Sequence, residues 1–279
     1  MPEFPLPSRP LRIAAVQARI TPGDVTGNAL MAADLVRRSD ARVTVLPEAF
    51  LGGYELELIS SDPARYAVSA GDPRLDPIAR ACESTGTSAI VGAVVSEGSA
   101  LFVSSLVFGP SGEVLARYDK QFLTSIERRY CRPGAAGCTV EVDGWRLALG
   151  ICYDCGFSEH ARAAAKDGAH AYLVSALFSA KHGFHESRTW LPARALENTA
   201  YVVVANHTGR TGGWDGCGAS AVWAPDGRLL AQAAHAETAM VRAELDPDLL
   251  ADVRRASPLL VDVDVPERSA LRARTEVRL

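Results

Sequence analysis

The stretch LALGICYDCGFSE, Leu147–Glu159, decides how the chain is read. Its first half, LALGI, is an apolar run with no polar face. That is the pattern of a strand buried on both sides, as in the sheets of layered α/β proteins. The run stops at Cys152, and Cys152-Tyr153-Asp154-Cys155 forms a C-x-x-C with an acid inside it. Such a pair can bind metal, exchange disulfides, or hide one nucleophile beside an unrelated neighbour. A zinc site needs about four ligands. Cys131 and Cys138 are separated by six residues, a poor ligand pair, and the H-x-x-H of His182 and His185 has no companion carboxylate motif. A redox pair places its first cysteine at a helix N-terminus, whereas Cys152 still belongs to the strand. The plainest alternative is that both thiols are small buried hydrophobes.

The segments around this strand alternate between two periods. LRIAAVQARI, ARVTVLPEAF, SAIVGAVV, ALFVSSLVFGP, GEVLARYDK, HAYLVSA, YVVVANHTG and TAMVRAELD read as strands. GDVTGNALMAADLVRRSD, DPRLDPIARACESTG, SEHARAAAKDG and residues 184–199 read as helices, the first able to use Asp24 as its cap and the second and third ending at Gly86 and Gly168. Asp143-Gly144, "GPSG" and "PDG" are hairpin turns. Residues 121–137 have little periodicity and read as loop. Strands mixed with helices and hairpins predict an α/β fold with mixed sheets. No linker or repeat divides the chain. We read residues 1–10 as an N-terminal extension and 11–279 as one domain, with a short helix and an extended tail after about residue 247.

Bulk properties narrow the function classes. The 279 residues carry a net charge of −4, with basic residues scattered rather than clustered, so nothing points to nucleic acid or an anionic membrane surface. No apolar run approaches the roughly 18–20 residues of a membrane span. The start, MPEFPLPSRP, is too polar for a signal peptide, and six cysteines in a chain of this length do not make a disulfide framework. The expectation is a cytoplasmic protein with reduced thiols.

Polar residues interrupt the ends of four apolar strands: Glu48, Lys120, Cys152, and the pair Asn206-His207. Strand C-termini are where sites form in α/β proteins. A glutamate, a lysine and a cysteine brought together would be chemically coherent. The carboxylate takes the thiol proton and returns it to a leaving amine, and the ammonium stabilises an oxyanion. Each residue also has a plain reading, as a helix-start acid, a solvated lysine and a packed thiol.

In context, VLPEAFLGGY around Glu48, RYDKQFL around Lys120 and LGICYDCGFSE around Cys152 resemble the three signature segments of the nitrilase superfamily of carbon–nitrogen hydrolases. IERRYCRPG resembles its loop with a second glutamate, here Glu127. TWLPARALENTAYVVVANHTG and GASAVWAPDGRLLA resemble its following helix, strand and hairpin. The likeness runs from Leu11 to at least Asp246. It implies an αββα sandwich paired into a homodimer or higher homo-oligomer, with the tail from about 247 contributing to the dimer contacts. It implies Cys152 as nucleophile, Glu48 as general base, and Lys120 with the Tyr153 backbone N–H as oxyanion donors. Glu127 would support them, and Arg194 and Glu197 would hold a helix in place.

The implied reaction is hydrolysis of a small linear amide through a thioester, with no metal and no organic cofactor. The alternatives are an N-carbamoyl amine or amino acid amidohydrolase, a nitrilase, an acyl transferase, and a silent relative that only binds. Tyr153-Asp154 after the cysteine resembles the amidase and carbamoylase branches; nitrilases carry Trp-Glu there. Gly156 stands where many ω-amide amidases of the family have an arginine, which puts a dicarboxylic substrate in doubt. Tyr54, Gly156, Phe178, Ser179, His182 and Trp214 are the expected pocket residues.

Overall fold

The computed structural model describes residues 5–69, 71–235 and 237–262. Two six-stranded mixed sheets stack face to face. The first is built from β1 (Leu11–Gln17), β2 (Val43–Val45), β3 (Ser88–Glu97), β4 (Ala100–Phe108), β5 (Val114–Asp119) and a late strand that returns beside β1. The second uses β6 (Thr139–Val142), β7 (Trp145–Ile151), β8 (Ala171–Ala176) and β9 (Tyr201–Asn206). After a separate hairpin, β10 (Thr208–Thr211) and β11 (Trp214–Cys217), it is completed by β12 (Ala221–Trp223) and β13 (Leu229–Gln232). The returning strand of the first sheet is β14 (Ala239–Leu245), antiparallel to β1.

Helices cover the outer faces. α1 (Val25–Arg37), the short α2 (Leu56–Ser61) and α3 (Pro63–Tyr66), and α4 (Asp76–Thr85) belong to the first half of the chain. α5 (Ser158–Lys166) and α6 (His182–Asn198) belong to the second, followed by α7 (Pro247–Ala256) and α8 (Leu259–Asp262). The layering explains why the strands are apolar throughout. On β8, Ala171 and Leu173 face the core between the sheets, while Tyr172, Val174 and Ala176 pack under α5 and α6. On β3, Ile90 and Val94 face inward and Ala89, Val91, Ala93 and Val95 meet α1 and α4. Each strand side is thus a buried face, so alternation disappears while the period of two persists.

The local signals act as expected at the helix ends. Asp24 caps α1 by accepting from Gly27 N, and Gly86 ends α4 in the left-handed region at φ 67°. The 121–137 segment holds one tight turn, Glu127–Arg129. The glycine-rich stretch between β9 and β12 forms the β10–β11 hairpin. After α6 the chain closes on itself: Arg254 of α7 donates to the carbonyls of Thr199 and Ala169. The extension is pinned by Trp145 Nε1–H donating to Arg9 O. Residues 1–4 and 263–279 lie outside the described residues, and with them the last part of the tail assigned to dimer contacts. No helix among the described residues is long and apolar enough to cross a membrane.

Two glycines let the sheets approach the residues that matter. A Cβ on Gly150 would sit 2.1 Å from the Tyr172 hydroxyl. A Cβ on Gly92 would sit 2.0 Å from Pro47 O and 2.8 Å from the Glu48 carbonyl carbon. Gly92→Ala therefore has to push the Pro47–Glu48 backbone out of its seat on β3. We expect a loss of about 2–3 kcal/mol, the size of core overpacking, measured by urea unfolding; an unchanged midpoint would show that the 47–48 backbone is free to yield.

Candidate active site

Three strand ends meet at one place. β2 ends just before Glu48, β5 just before Lys120, and β7 at Ile151 just before Cys152. β2 and β7 sit in opposite sheets, each within a parallel set, so their C-terminal ends open at the same edge of the sandwich. Lys120 Nζ donates to Glu48 Oε1 at 2.7 Å and to Glu127 Oε1 at 2.5 Å. All three side chains are buried to within 1% of full enclosure. Glu127 is held further by Tyr54 O–H at 2.7 Å and Thr124 N–H at 2.6 Å. The Cys152 thiol faces the Glu48 carboxylate and donates to Leu177 O at 3.8 Å.

This arrangement separates the two carboxyls. Burial pushes Glu48 up to about 7; the attraction of Lys120 offsets part of that, and the repulsion of Glu127 adds to it. Burial also works against the Glu127 charge, but Lys120 and the donors around Glu127 outweigh it and bring that carboxyl below its ordinary value. Lys120 is raised, since Glu48, Cys152 and Glu127 outweigh the cost of burying its charge. Burial and the facing Glu48 raise the Cys152 thiol. The resting cluster thus holds a charged lysine, an ionised Glu127, a Glu48 poised near neutrality and a protonated thiol. No described group hydrogen-bonds to the buried Glu48 Oε2. The pair of carboxyls pushed apart is the pattern of an assigned base beside a fixed counter-charge.

The backbone is strained at Cys152 and beside Glu48. Cys152 has φ 42° and Ala49, next to Glu48, has φ 47°, both in the region L-residues seldom adopt. The surroundings enforce this. Cys152–Gly156 is a single tight turn after β7. Asp154 accepts from Ile151 N–H at 2.9 Å, from Phe122 N–H at 2.8 Å and from Tyr118 O–H at 2.7 Å. The same carboxylate thereby ties the cysteine turn to the loop that carries Lys120. A chain of donors stands behind it: Tyr172 O–H to His160 Nδ1 at 2.9 Å and His160 Nε2–H to Tyr118 O at 2.8 Å. Burial lowers His160, so the ring is neutral and this tautomer completes the chain. On the far side Arg194 donates to Cys155 O at 2.9 Å and Gly156 O at 3.1 Å, and pairs with Glu197.

Asn206 and His207, the fourth polar strand end, support the walls. Asn206 accepts from Phe178 N–H and donates to Gly218 O. His207, fully buried and lowered to about 4 by that burial, donates from Nε2 to Glu48 O at 2.6 Å. Cys155 is buried under α6 and its thiol is raised, chiefly by that burial; all six cysteines are free.

A cavity of about 360 Å3 opens over the cluster, with Glu48, Lys120 and Cys152 on its floor. Of the other sequence candidates, Tyr54, Tyr153, Phe178, Ser179 and Trp214 line it. Two lie off the wall: Gly156 is behind Trp190, where a Cβ would meet the indole at 3.3 Å, and His182 is exposed at the start of α6. Residues outside the expected pocket set complete the wall, above all Gly183, Glu186 and Trp190 of α6. Their i, i+3, i+7 spacing marks one helical face, but only the fold says what that face looks upon. Asp154 carried a signal too, an acid two residues past the cysteine with a hydrogen-bonding reach to its own strand.

Comparison with known proteins places this geometry. The carbon-nitrogen hydrolase family pattern matches residues 12–255. A protein of Pseudomonas protegens named "Hydrolase in pqqF 5'region" is 32% identical over 256 residues, covering 90% of this chain and 88% of its own. The 2-oxoglutaramate amidase of Bacillus subtilis is 28% identical, covering 90% of this chain and 96% of its own. The solved amidase of Nesterenkonia, from the nitrilase superfamily, superposes with a TM-score of 0.77 at 30% identity, over 89% of this chain and 95% of that one. In another structure of that amidase the acetamide moiety of fluoroacetamide is covalently added at the active-site cysteine.

The Asp154 clamp has a measurable worth. Asp154→Ala strips the acceptor from three buried donors, and we expect it to cost about 3 kcal/mol of stability. Tyr172→Phe removes only the far end of the chain and is expected to cost about 1 kcal/mol. Denaturant unfolding of the two variants side by side checks the order; equal losses would mean the clamp carries no special load.

Proposed function

We propose, from the premise that the chain belongs to the carbon–nitrogen hydrolase family, that it hydrolyses small linear amides through a thioester on Cys152. The chain is an amidohydrolase. The observation that carries the mechanism is the buried Glu48–Lys120–Glu127 cluster facing a single thiol, with Glu48 raised to about 7.

The steps follow from where protons reside. Cys152 Sγ passes its proton to Glu48 and attacks the amide carbonyl carbon. The resulting oxyanion is met by Lys120 Nζ and by the Tyr153 N–H, which the first turn after Cys152 leaves without an intrahelical partner. Glu48 returns the proton to the amide nitrogen, the C–N bond breaks and ammonia leaves. Glu48 then takes a proton from water, whose oxygen attacks the thioester, and the collapse releases the carboxylic acid and restores the thiol. A base near neutrality suits both halves of the cycle, because it gives up the proton as readily as it takes it. Glu127, kept ionised, holds Lys120 between the two carboxyls and leaves one oxygen of Glu48 free for the thiol. The Nesterenkonia amidase, with fluoroacetamide's acetamide on its cysteine, supports a neutral aliphatic amide as the first substrate to try.

The test is an ammonia-release screen over neutral amides, ω-amides, N-carbamoyl amines and nitriles, run on wild type and three variants. Cys152→Ala is expected to abolish release from every substrate, and Cys155→Ala to retain most of it. The reverse result would overturn the assignment of the nucleophile. Lys120→Ala is expected to lose several kcal/mol of transition-state stabilisation, about 3–4 by analogy with a lost oxyanion donor.

The pH profile tests the base. Only ionised Glu48 accepts the thiol proton, so kcat/KM falls as pH drops through about 7, where Glu48 protonates. Glu127→Gln removes a charge that raises Glu48, so this acid limb moves to lower pH even as turnover falls. A limb that stays in place would show that Glu48 is not the group titrating.

A further inference from the structure

We infer that the substrate carries a positive charge at the end remote from the amide, and that Glu186 selects for it. The inference rests on the amidase reading above and names the class of amide. The wall of the cavity is largely aromatic: Tyr153, Phe178, Trp190 and Trp214 all contribute to it. Trp190 stands edge-on to Phe178 at 6.3 Å, and the Tyr153 ring is fixed edge-on to Phe157 at 5.1 Å. Beyond the floor, Glu186 supplies the single charged side chain of that wall among the described residues. It is exposed on α6, its helix neighbour His182 is exposed beside it, and no described residue forms an ion pair with it.

Among the described residues a carboxylate tail finds no free counter-charge in this cavity. Its one lysine is already bonded to Glu48 and Glu127 on the floor. Where a cation at residue 156 would enter, there is a glycine with the Trp190 indole packed over it at 3.3 Å from an ideal Cβ. An adjoining outer cavity shares Tyr54, Ile126 and Trp214 with the first and holds Arg129, but Glu55 and Glu57 share that wall. An ammonium tail, by contrast, meets aromatic side chains and one carboxylate, the combination that binds cations.

The experiment compares three amides of matched length: 4-aminobutanamide, pentanamide and the monoamide of glutaric acid. We expect kcat/KM to fall in that order, with the first exceeding the second by about fivefold at low ionic strength, the size of an exposed ion pair aided by an aromatic face. Added salt narrows the gap. Glu186→Gln brings the first two together, and Glu186→Lys raises the glutaric monoamide relative to 4-aminobutanamide. Because each reading is a ratio within one variant, a general loss of folding does not imitate it. Equal rates for the first two in wild type, a preference for the glutaric monoamide, or a ratio untouched by Glu186→Gln overturns the inference. Failure to hydrolyse any of the three is a different result: it overturns the small-amide reading and takes this one with it.

Discussion

A lysine ammonium buried to 1% between two carboxylates is the constraint on which the rest of the structure depends. An isolated charge in such a place is not tolerated; it must be paired and hydrogen-bonded, or it neutralises. Lys120 is paired twice, and its two partners come from elements far apart in sequence. Glu48 arrives at the end of β2 in one part of the first sheet, and Glu127 returns through the tight turn that follows β5. The ammonium fixes both; burial pushes Glu48 up to about 7, Lys120 offsets part of that rise, and the nearby Glu127 charge adds to it.

The scaffold around this cluster holds backbone that would otherwise relax. Positive φ at Ala49 and Cys152 costs of the order of 1–3 kcal/mol each. Gly92 lets the Glu48 segment lie flat on β3, and His207 pins the Glu48 carbonyl from the other sheet. Asp154 closes the Cys152 turn from below and Arg194 closes it from behind. The same Asp154 carboxylate holds Phe122 N–H, two residues beyond Lys120. The two sheets are thus cross-tied by polar contacts at the very edge where the three strand ends open.

Much of this was legible in the chain, for reasons that differ by element. Strands such as YVVVAN and AYLVSA were readable because burial on both faces leaves no other composition for them. Asp24 and Gly86 announced helix ends through capping chemistry that acts over a few residues. Glu48, Lys120 and Cys152 stood out as polar breaks at apolar strand ends. The β10–β11 hairpin was not legible, because Gly212-Gly213 and Gly216 leave WDGC with no alternating pattern to register. Nor was the cavity wall: Ser179, Glu186 and Trp214 become neighbours only when α6 and the hairpin dock, as through Ala180 N–H to Asp215 O and Cys217 N–H to Phe178 O. His182 belongs to the same stretch, at the first position of α6, but does not reach the cavity lining.

That difference in legibility reflects a division of labour. The floor is carried by strand ends, where a shift of one residue would turn every side chain to the other face, so its chemistry is tightly bound to the fold. The wall is carried by one helix face and a hairpin tip, which can exchange side chains without disturbing a sheet. Yet the wall is not independent of the floor. Arg194, two turns past Glu186 on α6, grips the carbonyls of Cys155 and Gly156. The helix that presents Glu186 and Trp190 to the cavity is therefore fastened to the turn that presents Cys152. Under the proposed mechanism, a tail seated against α6 would be registered to the thiol through one guanidinium, which would give remote binding energy a short rigid path to the reacting carbon.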